Sequence, residues 1–170
     1  VGGVMLNNEL TDFDFVPAKD GYLVANRVEG GKRPRSSMSP TIVYGPDGKV
    51  RIAIGAAGGS TIIAQVAKAL VAVLDWKMSA QDAIGLGLLY APKLAAMAEK
   101  GKQLDAMVPA LQALGEHVQI APLGLKANAI ERVNGQWVGA ADPRSEGVAV
   151  REDGQTTQIV RAGAAPRPPE

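Results

Sequence analysis

Arg33–Ser60, RPRSSMSPTIVYGPDGKVRIAIGAAGGS, is the stretch on which the fold turns. It carries adjacent hydroxyls at Ser36 and Ser37, two β-rich runs and a glycine-rich turn. Thr41 to Tyr44 and Val50 to Ile54 flank Gly45-Pro46-Asp47-Gly48, and such a cluster between β-branched runs predicts a hairpin. Gly55 to Ser60 predicts a turn. Ile62 to Leu74 predicts a helix with Ile63, Val66, Ala67, Leu70 and Leu74 on its apolar face, capped by Ser60 or Thr61. Hydroxyls, hairpin, glycine turn and helix together read like the substrate-binding end of an enzyme. The stretch nevertheless lacks a convincing nucleophile, since neither Ser36 nor Ser37 sits in a Gly-x-Ser-x-Gly elbow. The glycine turn also lacks the Gly-Lys-Ser/Thr ending of a phosphate loop.

Outward from this stretch the order is strands, helices, strands. Upstream, Val1 reads as part-way into a strand and Val4 to Asn7 as a strand end, so the chain is expected to be the distal part of a larger catalytic unit. Asn7 to Asp14 reads as a polar loop around Leu10 and Phe13, Pro17 to Gly21 as a turn, and Tyr22 to Val28 as a short strand. Downstream, Ser79 is the expected cap of a helix from Ala80 to about Gly87. Pro92 is a break, and Leu104 to Leu114 predicts a third helix stopped by Gly115. Val118 to Ile120, Ala127 to Val133 and Gln136 to Ala141 read as strands, with Asn134-Gly135 as a tight turn. A further hairpin is expected over Val148 to Arg151 and Thr157 to Val160. The domain is expected to span residues 1–162, and the Ala/Pro-rich residues 163–170 to form a flexible tail. Helices grouped between hairpins predict an α+β fold, an antiparallel sheet covered by helices.

Composition narrows the classes. The 170 residues suit one domain, and 46% hydrophobic content with few aromatics leaves Leu, Ile, Val and Ala to fill the core. A net charge of +1 is not the footprint of a nucleic-acid binder. With no Cys and one His, disulfides, thiolate nucleophiles and multi-histidine metal sites are excluded, and no cofactor is implied. No apolar run reaches the length of a membrane span.

Several residue groups could carry chemistry, each beside a plainer role. The backbone N–H groups of Gly58 and Gly59 could stabilise an oxyanion, or the pair could serve only a tight turn needing positive φ. Ser36 and Ser37 could bind a carboxylate, or belong to a capped, solvated loop. Glu9 and Asp12 could grip an ammonium group, hold calcium or form an ordinary acidic loop. His117 reads as a surface or edge residue. Asp142-Pro143-Arg144 could pin its turn to the sheet through an ion pair. Trp76 and Trp137 read as core or interface anchors.

In order, these pieces resemble the C-terminal portion of the γ-glutamyltransferase (γ-glutamyltranspeptidase) small subunit. The strings are MLNNELTDFDF (5–15), KRPRSSMSPTIV (32–43), GAAGGS (55–60) with the adjoining helix, and GAADPRSEG (139–147). The resemblance implies an incomplete four-layer αββα sandwich of the N-terminal nucleophile hydrolases. In that family a precursor cleaves itself, and the new N-terminal Thr attacks a γ-glutamyl amide such as glutathione. The γ-glutamyl group then passes to water, an amino acid or a peptide. By position, Glu9 and Asp12 fall where the family binds the donor α-amino group, Ser36 and Ser37 where it holds the α-carboxylate, and Gly58 and Gly59 at the oxyanion pair.

Two departures are local: Thr11 replaces a usually acidic residue, and Ala57 stands where Pro often precedes the glycines. The larger departure is that the catalytic Thr is expected upstream of Val1, and the large-subunit Arg that pairs with the donor carboxylate is not assigned to Arg33 or Arg35. The implied partners are the large subunit and the upstream part of the small subunit, and the implied location is periplasmic or secreted. The chain alone is expected to be inactive. A cephalosporin or glutaryl acylase or amidase, or a non-enzymatic amino-acid-binding module, are the alternatives. Retention of both Glu9 and Asp12 favours a γ-glutamyl substrate, because a glutaryl group has no ammonium to bind.

Overall fold

The computed structural model describes residues 2–3, 6–92 and 94–150, which fall in two compact units divided after Ser37. Val4 and Met5 of the expected entry strand, the second half of the hairpin expected near 148–160, and the tail at 163–170 lie outside the described residues.

In the first unit, a single 3₁₀ turn, Glu9–Asp12, comes first. Two short strands succeed it, β1 (Ala18–Lys19) and β2 (Tyr22–Leu23), paired antiparallel. Asp20 (φ 52°) and Gly21 (φ 81°) form the tight turn between them, the backbone that two-residue hairpins require. The strand expected over Tyr22 to Val28 therefore stops at Leu23. Beyond it the chain turns, with Arg27 N–H donating to Val24 O at 3.1 Å. Asp14 and Arg27 form an isolated parallel bridge, and Phe13 is the buried apolar side chain of this loop.

The second unit is built on the expected hairpin. β3 (Thr41–Tyr44) and β4 (Val50–Ala57) pair antiparallel, and β8 (Lys126–Val133) and β9 (Gln136–Ala141) extend the sheet in the order β3-β4-β8-β9. Asn134 (φ 50°) and Gly135 (φ 84°) make the predicted tight turn. Between β4 and β8 lie helices α1 (Ile62–Leu74) and α2 (Ala80–Gly85). They cover one face of the sheet around Ile52, Ile54, Val66, Ala69, Ala72, Val73, Ala83 and Ile84. The opposite face exposes Ile42, Tyr44 and Ile130. One helical layer on one sheet is half of an αββα arrangement.

The buried stripe of α1 is Ile62, Gln65, Val66, Ala69, Ala72 and Val73, rotated from the stripe expected. Ile63 is 57% exposed, and Leu70 and Leu74 only edge the core. Alanines at the contact let the helix lie close on β4, an arrangement that counting large apolar residues overlooks. Ser79 caps α2 as predicted: its Oγ accepts from Asp82 N–H at 3.1 Å, satisfying a donor that the first turn leaves open. Buried Glu131 on β8 takes the Ala80 N–H at 2.9 Å, tying that helix start to the sheet.

A three-stranded sheet was not foreseen. β5 (Leu89–Tyr90), β6 (Ala96–Glu99) and β7 (Val118–Ala121) lie in that order, and β6 pairs with β7 parallel. The expectation of antiparallel pairing alone is corrected here. A parallel pair needs a crossover, and the 3₁₀ turn Gln103–Ala106 and helix α3 (Val108–Ala113) supply it. Those two replace the single helix expected over Leu104 to Leu114. Trp76 is 61% exposed and so is not a core anchor in this unit. Trp137 is half-buried, with the Arg132 guanidinium 5.9 Å from its ring. His117 is exposed, as expected. Among the described residues no helix is long and apolar enough to cross a membrane.

Candidate active site

Of the candidate substrate residues of the first unit, Glu9 and Ser36 meet at the 3₁₀ turn that also carries Asp12. That turn has three residues per revolution, so side chains at i and i+3 eclipse, which puts Glu9 and Asp12 on one side of it. Asn7 Oδ1 accepts the Glu9 N–H at 3.1 Å, and Thr11 Oγ1 donates to Asn8 O at 2.7 Å. The departure at Thr11 is thus absorbed in the local backbone. Ser36 Oγ donates to Glu9 Oε1 at 2.7 Å, joining residues 27 apart in sequence into one polar group. Glu9 and Ser37 are half-buried, whereas Asp12 and Ser36 are exposed.

Asn26 holds this arrangement together, and nothing in the sequence pattern singled it out. Its Nδ2 donates to Asp12 O and its Oδ1 accepts from Arg35 N–H, each at 2.7 Å. Its own carbonyl accepts the Asp14 N–H at 2.9 Å. One side chain therefore ties the carboxylate turn to the segment leading into Ser36. Arg33 and Arg35 are exposed.

Gly58 and Gly59 lie in the second unit, where β4 ends. Their φ values are 133° and 61°, a region that glycine enters at little cost and other residues do not. A Cβ on Gly58 would sit 2.7 Å from Thr61 Oγ1 and 3.0 Å from both Gln65 Nε2 and Gly124 O. Both glycines are exposed and lie at the 3₁₀ turn Gly59–Thr61 that feeds α1. The first N–H groups of a helical segment have no acceptor within it and are available to an anion. The cap expected from Ser60 or Thr61 is replaced: Thr61 Oγ1 turns back to donate to Gly58 O at 2.9 Å.

Asp142-Pro143-Arg144 forms the pin that its residue types predict. The Arg144 guanidinium binds Glu99 through two nitrogens, Asp142 Oδ1 at 3.0 Å and the carbonyls of Ile84, Gly85 and Leu86 at the end of α2. Asp142 Oδ2 also accepts the Ala127 N–H at 2.9 Å. Burial works against the Arg144 charge, but its bonds to Glu99 and Asp142 outweigh that and raise its pKa. Lys68 Nζ donates to the Ile84 and Leu86 carbonyls. Burial, then the neighbouring Arg144 charge, pushes Lys68 down to about 8, against the pull of Glu99 and Asp142. This cluster joins β9, α2 and β6, and its partners are all structural.

Known proteins resemble this chain in both sequence and fold. The gamma-glutamyltranspeptidase family model matches residues 1–151. The chain is 31% identical over 151 residues to a glutathione hydrolase proenzyme of Bacillus subtilis, covering 87% of this chain and 25% of that protein. It is 35% identical over 151 residues to a glutathione hydrolase proenzyme of Escherichia coli, covering 84% of this chain and 26% of that protein. The chain thus spans about a quarter of the length of these curated relatives. A solved mutant of Helicobacter pylori gamma-glutamyltranspeptidase superposes with a TM-score of 0.70 at 31% identity, covering 84% of this chain and 82% of that one. Fold and sequence agree over the same residues, and the chain belongs to the γ-glutamyltranspeptidase family.

Proposed function

We propose that this chain supplies donor recognition and oxyanion stabilisation to an enzyme that cleaves γ-glutamyl amides such as glutathione and passes the γ-glutamyl group to water, an amino acid or a peptide. The observation that carries this reading is the Ser36–Glu9 hydrogen bond at the turn that also carries Asp12. A γ-glutamyl donor presents an ammonium and a carboxylate on one carbon. Glu9 and Asp12 take the ammonium. The Ser36 and Ser37 hydroxyls donate to the carboxylate, so binding exchanges the one charge-assisted Ser36–Glu9 bond for several to the donor. Clamping both charges orients the γ-carbonyl for attack.

In the reaction proposed, the nucleophile is the N-terminal Thr of the family's small subunit, with its own amine as base. Attack moves the carbonyl π electrons onto oxygen, where the Gly58 and Gly59 N–H groups stabilise the negative charge. Collapse expels the amine, which leaves protonated, and water or an amino-acid acceptor then releases the γ-glutamyl group. The chain alone holds recognition groups and is inactive. Autoprocessing of the full-length protein, its partnership with a large subunit and a periplasmic or secreted location belong to the same proposal.

Hydrolysis of γ-glutamyl-p-nitroanilide by the full-length protein tests it. Glu9→Ala and Ser36→Ala are each expected to lower kcat/KM about 10- to 100-fold, the worth of a charge-assisted hydrogen bond. The isolated 170-residue chain is expected to release no nitroaniline. No turnover by the full-length protein, or full activity in both variants, contradicts the reading.

A further inference from the structure

Gln65 is a polar side chain on a hydrophobic face. It is 2% exposed and shares the inward stripe of α1 with Ile62, Val66 and Ala69. A buried carboxamide is costly unless its hydrogen bonds are made, and here they are. Nε2 donates to Ala57 O at 3.0 Å and to Thr61 Oγ1 at 2.9 Å. Oε1 accepts from Lys126 N–H at 3.1 Å. Thr61 Oγ1 donates its own proton to Gly58 O at 2.9 Å. Ala57 and Lys126 are the last register pair of β4 with β8, so one carboxamide spans the end of that ladder.

The consequence lies in peptide geometry. A trans peptide is planar, with its C=O and N–H on opposite sides. Ala57 O shares a plane with Gly58 N–H, and Gly58 O shares one with Gly59 N–H. Gln65 holds the first carbonyl directly and the second through Thr61. Fixing both carbonyls fixes where both N–H groups point, at two residues whose type leaves the backbone least restrained. A carbonyl that accepts a hydrogen bond also polarises its peptide and strengthens the donor on the far side.

We propose that Gln65, with Thr61 as relay, is a positioning residue that aims and strengthens the Gly58 and Gly59 N–H donors for the oxyanion. The inference rests on the γ-glutamyl-transfer reading above and names the part of the fold that prepares its oxyanion site. Gln65 touches no substrate in this scheme.

The test uses the full-length protein with Gln65→Met, which keeps length and loses every hydrogen bond, and with Thr61→Val, which removes the relay to Gly58 and one acceptor of Gln65 Nε2 but leaves the Gln65 bonds to Ala57 and Lys126. Two binding probes separate ground state from transition state: L-glutamate, and a glutamate analogue with a boronic acid in place of the γ-carboxylate, whose tetrahedral adduct carries an oxyanion. Gln65→Met is expected to lower kcat for γ-glutamyl-p-nitroanilide about 10- to 100-fold and weaken boronate binding similarly, with donor KM and L-glutamate affinity held to about twofold. Thr61→Val is expected to show the same split, smaller in size, and it decides the matter if Gln65→Met does not fold. Both probes weakened equally, or kcat and boronate affinity unchanged in both variants, would overturn the inference and leave the γ-glutamyl reading standing. A wild-type protein that neither turns over the anilide nor binds the boronate would overturn that reading, and the inference with it.

Discussion

At the scale of single residues, Asn26 holds the polar group of the first unit together. Its two 2.7 Å side-chain bonds join the Glu9–Asp12 turn to the stretch of chain before Ser36. Each such bond contributes about 0.5–1.5 kcal/mol. Asn26→Ala is expected to raise donor KM about tenfold while kcat changes little, because it loosens the clamp without touching the reacting carbonyl. An unchanged KM in steady-state assays would show that the turn holds its shape unaided. Glu9, Asp12, Ser36 and Ser37 are nominated by residue type and by the resemblance, and the structure joins Glu9 to Ser36. Asn26 and Gln65 are nominated by neither. Gln65 acts on residues 8 and 61 positions away, and no local pattern records such a partner.

At the scale of elements, the glycine turn is held by what surrounds it. Gly58→Ala would put a Cβ against Thr61, Gln65 and the Gly124 carbonyl at φ 133°. Residues forced into sparsely populated backbone regions cost on the order of 1–3 kcal/mol. The expected result is a drop in the thermal midpoint together with a loss of kcat larger than any change in donor KM. A variant with wild-type kcat would count against the oxyanion role. Ser79→Ala is the matching control away from the site: it removes the α2 cap and is expected to cost about 1 kcal/mol in denaturant unfolding with kcat unaffected. Hairpins and caps were readable because Asn134-Gly135, Gly45 to Gly48 and Ser79 each impose local geometry. β6 was not, because Ala-Met-Ala-Glu has weak strand propensity and pairs with β7 across a long crossover. The face of α1 was misjudged because Ala69 and Ala72 are chosen by closeness to the sheet, not by size.

At the scale of the molecule, the Arg144 cluster couples the ends of β9, α2 and β6. Its guanidinium pairs with both Glu99 and Asp142, whose side chains are 6% and 1% exposed. Removing one partner of a buried ionic group leaves the others uncompensated, typically at about 3–5 kcal/mol. Arg144→Met is therefore expected to impair folding severely, read as lost soluble protein or a much lower denaturation midpoint, and near-wild-type stability would contradict this role. Lys68 beside it gives a pH signature. Its pKa is about 8 in the fold against 10.5 for an unperturbed lysine, so between these values the unfolded chain binds more protons. Stability should rise as pH climbs through that window, and the cost of the buried charge is fully present below it. Thermal unfolding of Lys68→Met is expected to lose that rise; an identical slope in the variant would assign it elsewhere. The ion pair of Asp142 with Arg144 was legible from the turn that carries them, whereas Glu99 and Lys68 join it only through tertiary packing.

The central claim is that the first unit recognises the α-ammonium of a γ-glutamyl donor. It is tested most directly by the kcat/KM of the full-length protein and its Asp12→Asn variant on two anilides that differ only in that group, γ-glutamyl-p-nitroanilide and glutaryl-p-nitroanilide. The account predicts a wild-type preference for γ-glutamyl that shrinks about 10- to 100-fold in Asp12→Asn, through loss on the γ-glutamyl substrate alone. An undiminished γ-glutamyl rate in the variant, or a wild-type preference for glutaryl, would contradict it and move the chain to the acylase reading.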